Sequence, residues 1–433
     1  MAVVSILLLV SACASSTAGR FEVERRLAAD RPSYALQALK AQNRGWARRD
    51  KVLYLLNKAM LLRINSDFKA SNHAFEQAKR RMAKLQGVSL TEGTGSLIVN
   101  DNIKKYVGEE FEQVLLHVYK ALNYLEMGEA DAARVEALQV DIKLRQYAKR
   151  IAKTKYIEDA FARYIAGLIY EDHGEWSDAM IEYRRAYEAY EQYRKHYAVD
   201  VPRSLQRDLV RLADRLGLYN EVQQYKQRFG LDDWSYVGDV ESEGELIFVL
   251  HNGLAPVKRE DEVVVSTPHV LVKVALPYYQ PRSTPAVGAR ITVNGEERTM
   301  ELVEDVSAIA IWTLKMKMPM IRARAIARAG IKGAVASELK RQDEWLLGLL
   351  VEVAGVLSER ADTRSWFTLP HNIYMGRMRL PPGDYTVTLE LLGRNHAVID
   401  AEDFQRVTIR PARKTFVSHH WIVPKHLLDG ARP

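Results

Sequence analysis

One cysteine, Cys13, stands alone in 433 residues. A single thiol has no partner for an internal disulfide and no second sulfur for a zinc or iron–sulfur site, so its chemistry is that of a nucleophile presented at one place. The other residue types capable of chemistry do not converge in the sequence. The eleven histidines form no HExxH arrangement. His419 and His420 are neighbours in an expected strand, where successive side chains point to opposite faces and cannot share an ion. There is no phosphate-cradling P-loop, dinucleotide-type glycine fingerprint or nucleophile-elbow motif, and the scattered acids offer no preferred pair for general acid–base work. No catalytic residue, metal site or cofactor is expected, and the chain reads as a non-enzyme.

The position of Cys13 suggests its use. Ala2 to Val10 is apolar apart from Ser5, matching a signal-peptide h-region and falling well short of the roughly 20 residues of a membrane-spanning helix. Val10-Ser11-Ala12-Cys13 resembles the lipobox of bacterial lipoproteins, an aliphatic residue and two small ones before the cysteine. That resemblance implies a leader over 1–12, peptidase recognition through Val10, Ser11 and Ala12, and acyl chains on Cys13. The first cation is Arg20, so the usual positive n-region is missing. Ala14, rather than Asp, follows the cysteine, which by resemblance to enterobacterial sorting favours the outer membrane. Residues 13–20, small and polar, read as a lipidated tether. The competing expectation is an N-terminal helix with an inert buried thiol.

Composition is that of a folded, water-facing body, 47% hydrophobic and 27% charged, long enough for two or three domains. The net charge of +7 would suit nucleic acid, anionic lipid head groups or an acidic cell-wall polymer. Behind an export signal the last two remain and nucleic acid is not expected. A cytoplasmic nucleic-acid binder rests on charge alone, and a solvated mixed-charge surface explains the same number.

Elements that could position a binding surface begin with a repeat. Gly167, Tyr170, Gly174, Trp176, Ala179, Tyr183 and Ala186 fall in the spacing of the tetratricopeptide repeat, a helix–turn–helix unit of about 34 residues. The small residues belong where paired helices approach closely, and the aromatic ones fill the holes between them. Weaker copies run through Ala121, Tyr124, Gly128, Ala130 and Ala133, through Ala59, Leu62, Phe68, Phe75 and Ala78, and through Ala213, Gly217 and Tyr219. A tetratricopeptide-like helical solenoid with insertions is expected over 21–230, its concave face holding another protein. The competing expectation is that these helices pack against the rest of the chain. Between the first two copies, Val88 to Val99 is expected as a hairpin. Asn100, Asp101, Asn102, Tyr106 and Glu109 offer polar and aromatic contacts to a partner, or else Asn100 and Asp101 only cap turns.

After residue 230 the period changes. "GELIFVLHNG", "DEVVVS", "HVLVKVALPYY" and "ARITVNGEERTMELV" read as strands, with Asn294-Gly295 as a tight turn. Strands return in "MGRMRLPPGDYTVTLELLG" and "FQRVTIRPARKTFVSHHWI". The expected class is α+β: the solenoid followed by a β-sandwich-like domain over 231–433 with a helical insertion at about 303–360. In that insertion, Arg322, Arg324, Arg328, Lys332, Lys340 and Arg341 precede the apolar run Trp345 to Leu357. The pair could meet a membrane surface, although a helix buried between sheet and solenoid is the favoured expectation.

"NDNIKKYVGEEFEQVLLHVYKALNYLEMG", "GELIFVLHNGLAPVKRE" and "ADTRSWFTLPHNIYMGRMRLPPGDYTV" resemble the hallmark blocks of a proteobacterial outer-membrane lipoprotein family with tetratricopeptide-like repeats. The resemblance implies an envelope location and, for some members, association with activators of penicillin-binding proteins. It supplies no active residues. The resulting expectation is a scaffold on the periplasmic face of the outer membrane. Its partners would be the membrane, through acyl chains on Cys13, and another envelope protein, with cell-wall synthesis as the hint. The alternative is a glycan-binding or hydrolase/synthase accessory subunit.

Overall fold

The computed structural model describes residues 20–29, 31–42, 46, 50–91, 105–150, 157–231, 242–266, 271–341 and 360–424. Cys13 and the lipobox, Asn100 to Asn102, and the apolar run Trp345 to Leu357 lie outside them.

The helical half is built from one turn used four times. Helix α1 covers 20–28 and α2 is Pro32–Ala41. Four hairpins follow: α3 (Lys51–Ile64) with α4 (Phe68–Thr91), α5 (Glu110–Glu126) with α6 (Ala130–Arg150), α7 (Ala160–Asp172) with α8 (Trp176–His196), and α9 (Arg203–Arg215) with α10 (Tyr219–Phe229). At each turn one residue takes a left-handed backbone: Ser66, Gly128, Gly174 and Gly217, with φ between 58° and 73°. The next N–H then bonds back five residues, from Asp67 to Leu62, Glu129 to Tyr124, Glu175 to Tyr170 and Leu218 to Ala213, at 2.8–2.9 Å. This closure satisfies carbonyls that a helix end leaves bare. Helix α4 runs on to Thr91, so the first residues expected as a hairpin are helical instead.

The two helices of a hairpin differ in surroundings. Every residue of α7 from Ala160 to Glu171 is buried, as is every residue of α5 from Glu112 to Asn123. A helix with no exposed face must be covered on all sides, and its polar residues, Glu112, His117, Lys120 and Arg163 among them, find partners inside the fold. Its partners α6 and α8 cover one side and keep an exposed face.

A sheet covers the other side. The strands are β1 (Gly244–Asn252), β2 (Val257–Ser266), β3 (Leu271–Gln280), β4 (Gly288–Val293), β5 (Glu296–Thr299) and β6 (Glu301–Glu304). Helix α11 (Val306–Arg341) follows, then β7 (Asn372–Leu380), β8 (Gly383–Leu392), β9 (Val398–Ile409) and β10 (Lys414–Trp421). Among the described residues they form two four-stranded sheets, β10-β1-β7-β6 and β5-β4-β8-β9, and a separate hairpin β2-β3. Asn294 and Gly295 make the β4–β5 turn with φ of 50° and 82°.

Alternation along β1 shows how the layers stack. Leu246, Phe248 and Leu250 share a core with Ile291 of β4 and Leu389 of β8, whereas Ile247 and Val249 join the helical core together with Ile373, Met375 and Phe416. The continuous apolar run in β1 is thus a strand buried on both faces. Helical hairpins, first sheet and second sheet form successive layers, and the helical and β-rich parts share one core. The helical insertion is seen as α11, against which β3 packs. Within it Arg322 is exposed, Arg324 half-buried and Arg328 buried.

Gly167 sits in the middle of α7, and a Cβ there would lie 2.5 Å from two ring atoms of Tyr183. That ring is fully buried and its hydroxyl donates to Glu171 at 2.5 Å, so it has little freedom to retreat. Glycine-to-alanine in a helix interior should stabilise by about 1 kcal/mol, but overpacking a pinned ring costs about 1–3 kcal/mol. Gly167→Ala is therefore expected to lower the urea midpoint. A raised midpoint would show that the Tyr183 ring moves freely.

Candidate functional site

The seam between helices and sheet is polar as well as apolar. Arg377 on β7 donates to Tyr164 of α7 at 2.6 Å and to Glu245 of β1 at 2.8 Å, and also pairs with Asp208 of α9. Lys414 on β10 bridges Glu171 of α7 at 3.1 Å and Glu245 at 3.0 Å, and Arg211 of α9 meets Glu171 at 2.6 Å. Further along, Ser418 of β10 accepts from Arg63 of α3 and donates to Glu126 of α5. The segment before β7 wedges into the same seam. Trp366 stacks edge-on against Phe75 and Tyr119, and its backbone N–H donates to Glu112 at 2.8 Å. The inner face of the hairpin array, expected to hold another protein, is therefore occupied by this chain's own sheet.

The repeat residues all take part in packing. Ala179 and Ala186 are fully buried, Gly174 forms the turn, Arg134 lies over the Tyr170 ring, and Arg215 lies 3.8 Å above the Trp176 ring. Tyr106 and Glu109, expected to face a partner, are turned inward. Tyr106 donates to Glu112, and Glu109 pairs with Lys258 of β2 at 2.8 Å and Lys317 of α11 at 2.6 Å. Although burial opposes ionisation, those two ammonium groups hold the Glu109 carboxyl well below its usual range. Glu109 thus clamps α5 to β2 and α11.

Beside this clamp, α5, α6, the end of α8 and α11 enclose a cavity of about 360 Å³. Its walls are mainly apolar and aromatic, with Phe111, Tyr147, Tyr193, Tyr197, Trp312 and Met316, and the charged Glu110, Arg150 and Lys317 also line it. Asp159, the N-cap of α7, reaches into it. One carboxylate oxygen accepts from the Ala162 N–H at 2.7 Å, and the other, Oδ2, is buried without a hydrogen-bond partner. Trp312 Nε1, also in the wall, is likewise unpartnered. Burial pushes the Asp159 carboxyl up to about 6, and burial together with the Asp159 charge pushes Glu304 well above the carboxylate range. A buried acceptor left unmatched is destabilising by itself.

Among the described residues no group of three His, Cys, Asp or Glu is placed to hold a metal ion, and no helix is long and apolar enough to cross a membrane. His419 meets Phe404 and Glu402, whereas His420 lies against His251 on the opposite face. The sequence shows Asp159 as a helix cap before an apolar run, but nothing local reveals that its second oxygen stays unmatched. Trp312 and Glu304 carry no sequence signal for a site.

No protein-family model matches the sequence, and no curated protein matches it. Among solved structures the chain is similar to MamA 41-end from Desulfovibrio magneticus RS-1, at 14% identity over 50% of this chain and 92% of that one, with a TM-score of 0.31. It is similar also to Rap protein complexed with Competence and Sporulation Factor, at 15% identity over 48% of this chain and 50% of that one, with a TM-score of 0.29. Likeness at that level carries no functional argument. Function has to be read from this chain's own residues and geometry.

Asp159→Asn keeps the cap, because asparagine caps as well as aspartate, and removes the charge. A carboxyl whose folded pKa of about 6 exceeds its unfolded value near 3.8 stabilises the fold at low pH, and that contribution is lost as pH rises between the two values. D159N is therefore expected to be more stable than the parent by about 1–3 kcal/mol at pH 7.5, with most of the gain gone at pH 4. Urea denaturation at the two pH values checks this.

Proposed function

We propose that this chain is a lipid-anchored cell-envelope adaptor, tied by acyl chains on Cys13 to the periplasmic face of the outer membrane. On this reading it binds another envelope protein in the cavity under α11. The anchor rests on the lipobox resemblance and the sole cysteine. Each buried methylene contributes about 0.8 kcal/mol, so several chains hold where one does not. The observation that carries the binding half is the unmatched Asp159 Oδ2 in an aromatic pocket. It suits an apolar side chain that ends in a hydrogen-bond donor, presented by a partner protein. The hairpin array serves as a rigid wall for that pocket, since its inner face is already filled.

Two measurements test the proposal. Cys13→Ser should move the protein from the membrane fraction to the soluble one, and an unchanged membrane fraction would refute the anchor. A photo-crosslinking residue at Met316 should trap one discrete protein in intact cells. That product should disappear when Trp312→Ala is added and should not form from Arg194 on the exposed face of α8. Equal trapping at both positions, or trapping of peptidoglycan instead of protein, would overturn the partner assignment.

A further inference from the structure

A second cavity, of about 670 Å³, opens between α9, β1, β5 and β7, away from the residues that line the first. Its lining holds six arginines against three carboxylates. The carboxylates are matched oxygen by oxygen. Asp208 receives Tyr164 at 2.9 Å, Arg211 at 3.1 Å and Arg377. Glu245 receives Arg377 on one oxygen and Lys414 on the other. Glu301 receives the N–H of Ser204 at 3.1 Å and its hydroxyl at 2.6 Å, together with the N–H of Arg203, so the α9 N-terminus is already capped. None of these contacts uses the side chain of Arg203 or Arg207.

Those cations are arranged against local stability. Arg203, Arg207 and Arg211 follow at four-residue intervals along one face of α9, a like-charge stripe that disfavours a helix. Only Arg211 is neutralised, by Glu171 and Asp208. Arg203 and Arg207 are exposed and form no ion pair among the described residues. Across the opening stands Arg298 of β5, whose pair with Glu296 is about half exposed on both sides and so weakly held. A rule broken locally without compensation inside the fold marks a place where something external supplies it.

We infer that this cleft binds an anionic ligand bearing at least two phosphate or carboxylate groups, gripped between Arg203 and Arg207 on the helix and Arg298 on the strand. Guanidinium forks match both groups in bidentate fashion, and the compensated floor of Arg377, Asp208 and Glu245 holds the walls at fixed separation. The inference is independent of the adaptor reading, because it uses neither the anchor nor the α11 cavity.

Calorimetric titration of the full-length protein with inorganic pyrophosphate and, separately, with citrate tests it. Saturable one-to-one binding of at least one anion is expected, several-fold weaker at 150 mM than at 20 mM NaCl. Binding of one anion only would name the group recognised. Arg203→Glu with Arg207→Glu should weaken binding at least tenfold while leaving the thermal midpoint unchanged or raised, since those side chains support nothing in the fold. Arg194→Glu, on the exposed face of α8, should leave binding intact. Should the reversed pair lower the midpoint, Arg203→Gln with Arg207→Gln replaces it. No saturable binding of either anion at 20 mM NaCl, or an equal loss in the Arg194 variant, would overturn the assignment.

Discussion

The arrangement depends on charges closed off between two layers. Arg377, Lys414 and Arg211 meet Asp208, Glu245 and Glu171 where the hairpin array lies on the first sheet. Removing such groups from water is costly by several kcal/mol each, and Coulomb attraction offsets this only when every lone pair and proton is matched. Here they are matched, with Tyr164 and Tyr183 supplying hydroxyls as well. Burial opposes ionisation, yet the cations hold Glu245 down to about 2 and Glu171 well below its usual range. Apolar contacts would tolerate many relative positions of helices and sheet. A lattice of ion pairs drawn from α7, α9, β1, β7 and β10 tolerates few.

That closure redirects the usual logic of a helical array. Free hairpin repeats offer their inner helices to a partner. In this chain α5 and α7 are buried all round, and among the described residues two hollows lie where the layers end: the cavity beneath α11 and the cleft at the head of α9. Each has a chemically distinct character, largely aromatic with an unmatched acceptor in one case and guanidinium-rich in the other. Both are walled by elements from the helical and the strand-rich parts, so neither part alone would form them.

Much of the fold is legible in local pattern. Glycines at 128, 174 and 217 mark the turns because a left-handed backbone is needed there, and Asn294-Gly295 marks a hairpin for the same reason. The apolar run Leu246 to Leu250 identifies a strand. What covers its two faces does not follow from local sequence, since those layers come from segments far before and far after it. That is also why Tyr106 and Glu109 read as partner contacts. Their true neighbours, Glu112, Lys258 and Lys317, include residues some 150 to 200 positions downstream. Ser66 takes the glycine-like backbone of the first turn without a glycine, which blurs that copy of the repeat. The sites are harder still to read, because an unmatched oxygen on Asp159 and a full set of satisfied carboxylates around Arg203 and Arg207 are properties of three-dimensional pairing.

The parallel pairing of β1 with β10 matches Glu245 to Lys414 and Asn252 to Trp421. Lys414 leaves the ribosome 169 residues after Glu245. Until β10 arrives, β1 has a bare edge, Lys414 is missing from its lattice, and the part of α5 that packs on β10 has no cover. Such distant contacts form slowly and leave sticky intermediates. A chain truncated between β1 and β10 therefore keeps that edge open, and is expected to aggregate rather than to give a smaller working molecule.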